Sequence, residues 1–358
     1  MNTPIKFFDP KTTSDDLWDL LYSFFEKIWL EMNPDDPIPS KESTKKDILL
    51  PNPDFKNYRW LAYNEDETLI LGYGRASIYK KSSPAYEANK HIAFGLIFVD
   101  KGFRRLGIGT ELLKILVAKV IEEKKTVFQG GSHLQSAYGF CKAFGGKIGI
   151  TEEESRLNLS DIDWNMIEKW KTEGSSRASG VTVESFNIVA EQDIEDFCQI
   201  YTEVLNQVPK EDVEWEAKET PETRRQREER EKKLGTIWTT FISKEANGTI
   251  SGLTETFYYP DRATLLYQGL TGVKEEYRSR GLGKWLKAEM VSYAKERFPQ
   301  VRLIATDFAL TNDPMIAINR MLGFKFYKKY HEYKFQVDKL YRCLFLSKVI
   351  EENNKNNE

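Results

Sequence analysis

Apolar residues at helical spacing alternate along this chain with short alternating or continuous apolar runs, and the order of these blocks occurs twice. Residues 5–8 read as a strand. Residues 14–32 read as a helix that Ser14 opens, with Asp15 and Asp16 in the first turn, where the helix dipole favours negative charge. Residues 58–63 and 69–78 read as neighbouring strands, and 91–99 is a continuous apolar run of the kind a buried central strand shows. A helix over 107–123 places Leu112, Leu113, Leu116, Val117, Val120 and Ile121 at core spacing. A strand at 126–128, a helix at 137–144 and a strand at 147–150 close the first half. The second half predicts strand 181–189, helix 191–205, strands 238–243, 249–258 and 264–273, helix 281–297, strand 301–307 and helix 314–322. Residues 221–234 read as a solvated helix laced by i,i+4 ion pairs.

The polar stretch 172–180, rich in Gly and Ser, lacks apolar periodicity and reads as a linker between domains at 1–171 and 181–350, with a polar disordered tail at 351–358. At 358 residues the chain is long enough for two cores. Fifty-two Lys plus Arg against 55 Asp plus Glu give a net charge of −3, so no global field draws nucleic acid or an anionic membrane, and neither is an expected partner. Anion binding has to be local. The three cysteines, Cys141, Cys198 and Cys343, and the three histidines, His91, His133 and His331, are too scattered for a disulfide framework or a metal site. With no export signal or membrane span, a cytoplasmic location is expected.

The repeat is sharpest at R-x-x-G-x-G, placed between a buried strand and a helix: Arg104, Gly107 and Gly109 in one half, Arg278, Gly281 and Gly283 in the other. Glycines let the backbone approach a ligand, and the first helical turn leaves N–H groups unpaired at the positive end of the dipole. Such a turn suits a pyrophosphate, with Arg104, Arg105, Arg278 or Arg280 adding charge at its rim. Neither the dinucleotide fingerprint G-x-G-x-x-G nor Walker A occurs.

Val99–Gly109 and Val273–Gly283 both match V-x-x-x-x-[RQ]-x-x-G-x-[GA], the motif by which this sequence resembles the GNAT family of acetyl-CoA-dependent N-acetyltransferases. The helix-then-GF element of that family is similar to 137–146 and to Asn312, Met315, Asn319 and Gly323-Phe324. The tandem order is similar to mycothiol synthase-like proteins. The resemblance implies two mixed α+β domains. Each has a mostly antiparallel sheet, and its central strand splays from its neighbour to pair with the pantetheine arm. It implies that acetyl-CoA is held by Leu270, Thr271, Gly272, Val273, Arg278, Ser279, Arg280, Gly281, Leu282, Gly283, Lys284, Asn312 and Met315 in the second half. The first-half counterparts are Val99, Arg104, Arg105, Leu106, Gly107, Ile108, Gly109 and Thr110. It implies acyl transfer to an amine, here a small-molecule acceptor, by direct attack.

The sequence departs from the family where chemistry is expected. Cys141 and Asn319 stand at the position of the tyrosine that many members use as general acid, and Phe94 and Gln268 at the position of a strand glutamate. Asp307, at a strand end, is the first candidate base and Glu255 the second. Asn319 is a candidate hydrogen-bond partner of the thioester, and Gln268 of a water or amide. His91 is a candidate for the first half. Acidic loop residues Asp35, Asp36, Glu211, Asp212 and Glu214, with Trp215, Trp238, Tyr258 and Tyr259, are candidates to line a pocket for a cationic acceptor. The fuller motif set marks the C-terminal half as the catalytic copy, while the missing tyrosines leave open a coenzyme A-binding regulatory or scaffold protein without acyl transfer.

Overall fold

A computed structural model of the chain describes residues 3–346; the expected tail lies outside the described residues. Along the chain run β1 (Ile5–Phe7), α1 (Asp15–Met32), α2 (Lys41–Leu49), β2 (Phe55–Tyr63), β3 (Ile70–Tyr79), α3 (Tyr86–Asn89), β4 (Ile92–Val99), α4 (Ile108–Glu122), β5 (Val127–Ser132), α5 (Gln135–Ala143) and β6 (Lys147–Asn158). There follow α6 (Trp164–Arg177), β7 (Thr182–Phe186), α7 (Ile194–Asn206), α8 (Pro221–Leu234), β8 (Ile237–Lys244), β9 (Ile250–Tyr258), β10 (Leu265–Val273), α9 (Leu282–Arg297), β11 (Leu303–Ala309), α10 (Asp313–Leu322), β12 (Lys325–Gln336) and α11 (Val337–Phe345).

Two compact units result, and they do not divide at the expected linker. Unit 1 takes residues up to 151, the segment 210–215 and the chain from 330 onward; unit 2 takes 152–209 and 216–329. The linker expected at 172–180 is helical through Arg177. Its small residues serve packing instead. A Cβ on Gly174 would lie 2.6 Å from the Cβ of Trp285, so glycine lets α6 approach α9.

In unit 1, β1, β2, β3 and β4 pair antiparallel in that order, and β5 lies parallel to β4. Residues 331–336 of β12 then complete the sheet against β5. The apolar side of α4 packs on one face with Leu116, Val117 and Phe335, and α1 packs on the other with Leu21, Phe24 and Tyr73. Ser14 caps α1 through its side chain, as the sequence predicts.

Unit 2 repeats the plan: β7, β8, β9 and β10 antiparallel, β11 parallel to β10, and residues 152–158 of β6 completing the sheet against β11. Helices α6 and α9 bury Trp170, Leu286 and Met290 on one face, and α7 buries Phe197, Ile200 and Tyr201 on the other. The closing strand of each sheet thus comes from the sequence half that does not build the rest of it.

Candidate active site

Each unit bends its chain in the same way ahead of its long helix. In unit 2 Arg278 is extended, Ser279 and Gly281 have φ of +66° and +87°, and Gly281 is the left-handed N-cap of α9, with no side chain capping the helix. In unit 1 Arg105 and Gly107 take the same angles, +66° and +87°, ahead of α4. Left-handed residues two apart fold the backbone into a concavity of N–H groups, and the uncapped first turn adds its own donors. Glycine at 107 and 281 answers the positive φ. Leu282, Gly283 and Lys284, and Ile108, Gly109 and Thr110, form the first turns behind these caps.

The arginines of the two turns have different surroundings. Arg278 donates from Nε to the Val273 carbonyl at 3.2 Å and from its fork to the neutral amide of Gln207. Arg104 makes the same Nε bond to Val99, at 3.1 Å, but its fork grips both oxygens of Glu31. Arg280 is held by Glu245 at 2.9 and 3.1 Å.

Behind each turn a parallel strand pair opens. β10 and β11 are in register from Leu265↔Leu303 to Gln268↔Thr306 and then part, β10 continuing with β9 and β11 with β6. The register of β10 slips between Gln268 and Thr271, which leaves Gly269 and Leu270 outside the ladder with β9. A bulge of this kind re-aims backbone donors. In unit 1 the pair parts after Phe94↔Gln129, and β4 has no such slip.

At the mouth of the unit 2 opening lies a buried polar cluster. Lys287, wholly buried on α9, donates from Nζ to Gln268 Oε1 at 2.9 Å and to Asn319 Oδ1 at 2.6 Å. Burial pushes its ammonium down to about 7. Gln268 Nε2 donates to Thr271 Oγ1 at 2.8 Å, and Thr271 in turn meets Thr254. Asn319 Nδ2 is buried without a hydrogen-bond partner. Asn319 also lines a pocket of about 430 Å³ with Glu153, Ser155, Phe308, Arg320, Phe324, Phe326 and Lys329. Nothing in the motif pattern marked Lys287. The signal was available all the same, as a lysine between Leu286 and Ala288 on the apolar side of α9.

Asp307 does not join this cluster. Side chains alternate across a strand, and its neighbour Phe308 takes the pocket side, so Asp307 stands on the other face of β11, opposite Glu154. Asp307 is exposed, yet the protein packed around it, and then the charges of Glu154 and Glu152, push its carboxyl up to about 7. Glu154 is itself neutralised by Arg156 and Lys328.

Several other expectations are reassigned. Glu255 is wholly buried and bound to Arg224 and Thr240, which removes it as a free base. Arg224 is also fully buried, between the rings of Phe197 and Trp238, so α8 is not simply a solvated helix. Trp238 stacks on Phe257, and Tyr258 stacks on Phe298 at 4.1 Å; both are core. Asn312 caps α10 through the Met315 amide. Burial pushes the Cys141 thiol up to about 11, which keeps it a neutral thiol at neutral pH. His91 bonds Glu214 at 2.8 Å, and the backbone of Glu214 is clamped by both ends of the Gln129 amide, at 2.7 and 3.0 Å. The segment 210–215 therefore straps the unit 1 sheet.

Counting from the first parallel pair in each unit (Ile92↔Val127 and Leu265↔Leu303) aligns Gly95 with Gln268 and Gly131 with Asp307. Counting from the glycine caps aligns Leu113 with Lys287. Phe94, the expected counterpart of Gln268, is displaced by one because β10 carries the extra bulge residue. Unit 1 thus keeps the turn and lacks the polar cluster.

The family model of the acetyltransferase (GNAT) family matches residues 15–145 and 196–324, once in each sequence half. Among solved structures, a tandem GNAT protein from the clavulanic acid biosynthesis pathway superposes with a TM-score of 0.72 at 18% identity, covering 94% of this chain and 99% of that one. A GCN5-related N-acetyltransferase from Sphaerobacter thermophilus gives 0.63 at 16% identity, covering 94% and 96%. At these identities the likeness is one of fold. No curated protein matches the chain by sequence. Among the described residues no helix is long and apolar enough to cross a membrane, and no cluster of side chains suits a metal ion.

Proposed function

Because the chain belongs to the acetyltransferase (GNAT) family, we propose that it moves an acetyl group from acetyl-CoA to the primary amine of a small-molecule acceptor, with unit 2 as the catalytic copy. The observation that carries this reading is the alignment, in unit 2 alone, of an uncapped left-handed turn, an open parallel strand pair and a buried amide with a free donor.

The turn at 278–284 binds the pyrophosphate through backbone N–H groups, with Arg278 at its rim. The thioester supplies an activated carbonyl in the opening between β10 and β11. There the backbone at Leu270 to Gly272, re-aimed by the bulge at Gly269 and Leu270, receives the developing oxyanion, and Asn319 donates to the thioester. Asp307, on the face of β11 away from the pocket, takes the proton of the attacking amine. A carboxyl with its affinity near 7 both accepts and releases a proton at neutral pH. No group of the enzyme becomes acylated.

Unit 1 has the turn but offers Gly95, Leu113, Cys141 and Gly131 where unit 2 has Gln268, Lys287, Asn319 and Asp307. Its role in this reading is to hold acetyl-CoA or to support the fold, without turnover.

Calorimetry with acetyl-CoA on the wild type, Gly107→Glu, Gly281→Glu and the double variant tests the proposal. A carboxylate forced into the concavity repels the pyrophosphate. Loss of binding and of turnover on a panel of amines in Gly281→Glu is expected. Absence of any acetyl-CoA binding to the wild type overturns the reading.

A further inference from the structure

A lysine ammonium donates and cannot accept, so the two side-chain amides that meet Lys287 must both present oxygen to it. Their nitrogens then point away. That of Gln268 finds Thr271, whereas that of Asn319 finds no partner although Asn319 is 1% exposed and lines the pocket. A buried donor left open in this way costs stability unless something outside the chain accepts from it. The lysine is also expensive to bury, since no carboxylate bonds its Nζ among the described residues and its partners are neutral oxygens. The charged groups on the elements around it are engaged elsewhere. Glu289 of α9 is taken by Lys171 of α6 and the Trp285 indole, Lys284 and Lys295 lie over Trp170 and Trp164, Glu255 of β9 is held by Arg224, and Asp307 of β11 faces the opposite side of the sheet.

We propose that Lys287 is a positioning residue of the acyl-transfer site: its ammonium locks the Asn319 amide with Nδ2–H toward the pocket and polarises that N–H to hold the sulfur of the departing coenzyme A thiolate. This inference rests on the acetyltransferase reading above. When the carbon–sulfur bond breaks, its electron pair goes to sulfur. The Nδ2–H donates a hydrogen bond to that sulfur without giving up its proton, and Lys287, lowered to about 7 by burial, is held protonated by the negative charge that develops on sulfur. The proton shed by the amine leaves through Asp307, and the thiolate takes its proton later from water. The arrangement does with charge and orientation what a proton-donating hydroxyl would do by transfer, and it explains why a lysine occupies a position whose counterpart in unit 1 is Leu113.

The test uses coenzyme A labelled with carbon-13 beside the sulfur, bound to the full chain carrying Gly107→Glu so that unit 2 alone reports. NMR then follows thiol ionisation between pH 6 and 10. Bound coenzyme A is expected to ionise at lower pH than the free thiol, by roughly tenfold in thiolate fraction, the size of a nearby charge effect. Lys287→Met and Lys287→Gln are expected to lose that advantage while binding the coenzyme through the intact turn, Lys287→Arg to keep it, and Asn319→Ala to match Lys287→Met. An unchanged thiol in Lys287→Met overturns the proposal, as does equal behaviour of the Gln and Arg variants, which would reduce the lysine to a steric prop. Failure of the parent protein to bind coenzyme A overturns the acetyltransferase reading itself, a separable result.

Discussion

Glu31 holds both nitrogens of the Arg104 fork in unit 1, whereas Gln207 offers the matching Arg278 of unit 2 only a neutral amide. One turn is therefore charge-compensated and the other keeps its positive charge for an anion. Glu31→Gln is expected to raise the affinity of unit 1 for acetyl-CoA by roughly three- to tenfold, a common size for one charge-assisted contact. Calorimetry in a Gly281→Glu background reads this directly. Equal affinities would mean that the ion pair does not compete with the ligand.

Asp307→Asn is expected to lower kcat by about 10² to 10⁴ fold, the usual weight of a general base. Only the carboxylate accepts a proton, so the wild-type rate is expected to climb as pH rises through about 7, and the variant's residual rate to lack that limb. The stability sign runs the other way. A carboxyl raised in the fold is protonated there while already ionised in the unfolded chain, so wild-type stability falls between about pH 4 and 7, and Asp307→Asn escapes that fall. Thermal melts at pH 4.5 and 8 measure it.

Lys287→Met removes a buried charge but leaves the Gln268 and Asn319 oxygens without their donor, so its stability relative to the wild type is expected to depend on pH while transfer is impaired. The folded lysine loses its proton near 7 and the unfolded one near 10.5. Wild-type stability therefore rises between those values as the buried charge disappears. The methionine variant accordingly fares best against the wild type below pH 7 and loses a few degrees in Tm relative to it by about pH 10.5. A Tm difference that stays constant between about pH 6 and 10.5 would contradict this account.

Arg224 and Glu255 are expected to behave as a buried pair that tolerates joint loss better than single loss. Glu255→Ala leaves a buried guanidinium without its partner on β9 and is expected to cost about 3–5 kcal/mol in urea unfolding. Arg224→Met with Glu255→Leu together is expected to recover most of that. If Glu255 were the base, the double variant would fold and lose turnover.

Cys141→Ala is expected to leave the transfer rate within twofold of wild type, because a thiol raised to about 11 holds little thiolate at neutral pH. Iodoacetamide labelling at pH 8, followed by peptide mass, is expected to modify Cys141 more slowly than a free thiol.

What was legible in the sequence was what local rules control. The helix over α1 begins where Ser14 and its acidic neighbours say it should, and Gly107 and Gly281 occupy the left-handed caps that only the absence of a side chain makes comfortable. What escaped depends on distant partners. Gly174 belongs to a polar, small-residue run that resembles a linker until Trp285 lies against it. Arg224 sits in a charge-rich helix, and nothing nearby reveals that Phe197 and Trp238 enclose it. The match of Phe94 to Gln268 failed by one residue because a bulge adds length without leaving a composition signal. Lys287 differs from its helical neighbours only in being polar at an apolar position, and its meaning required Gln268 and Asn319 to arrive from two other elements.

The exchange of closing strands reaches back into biosynthesis. β5 is finished at Ser132, yet the strand that covers it runs to Gln336, about 200 residues later. At some 5–20 residues per second a ribosome needs roughly 10–40 s to deliver it. Throughout that interval the nascent unit 1 sheet presents an unpaired edge of the kind that recruits other chains. Demand for a chaperone during synthesis, and poor recovery of any product truncated before residue 330, follow from the path of the chain alone.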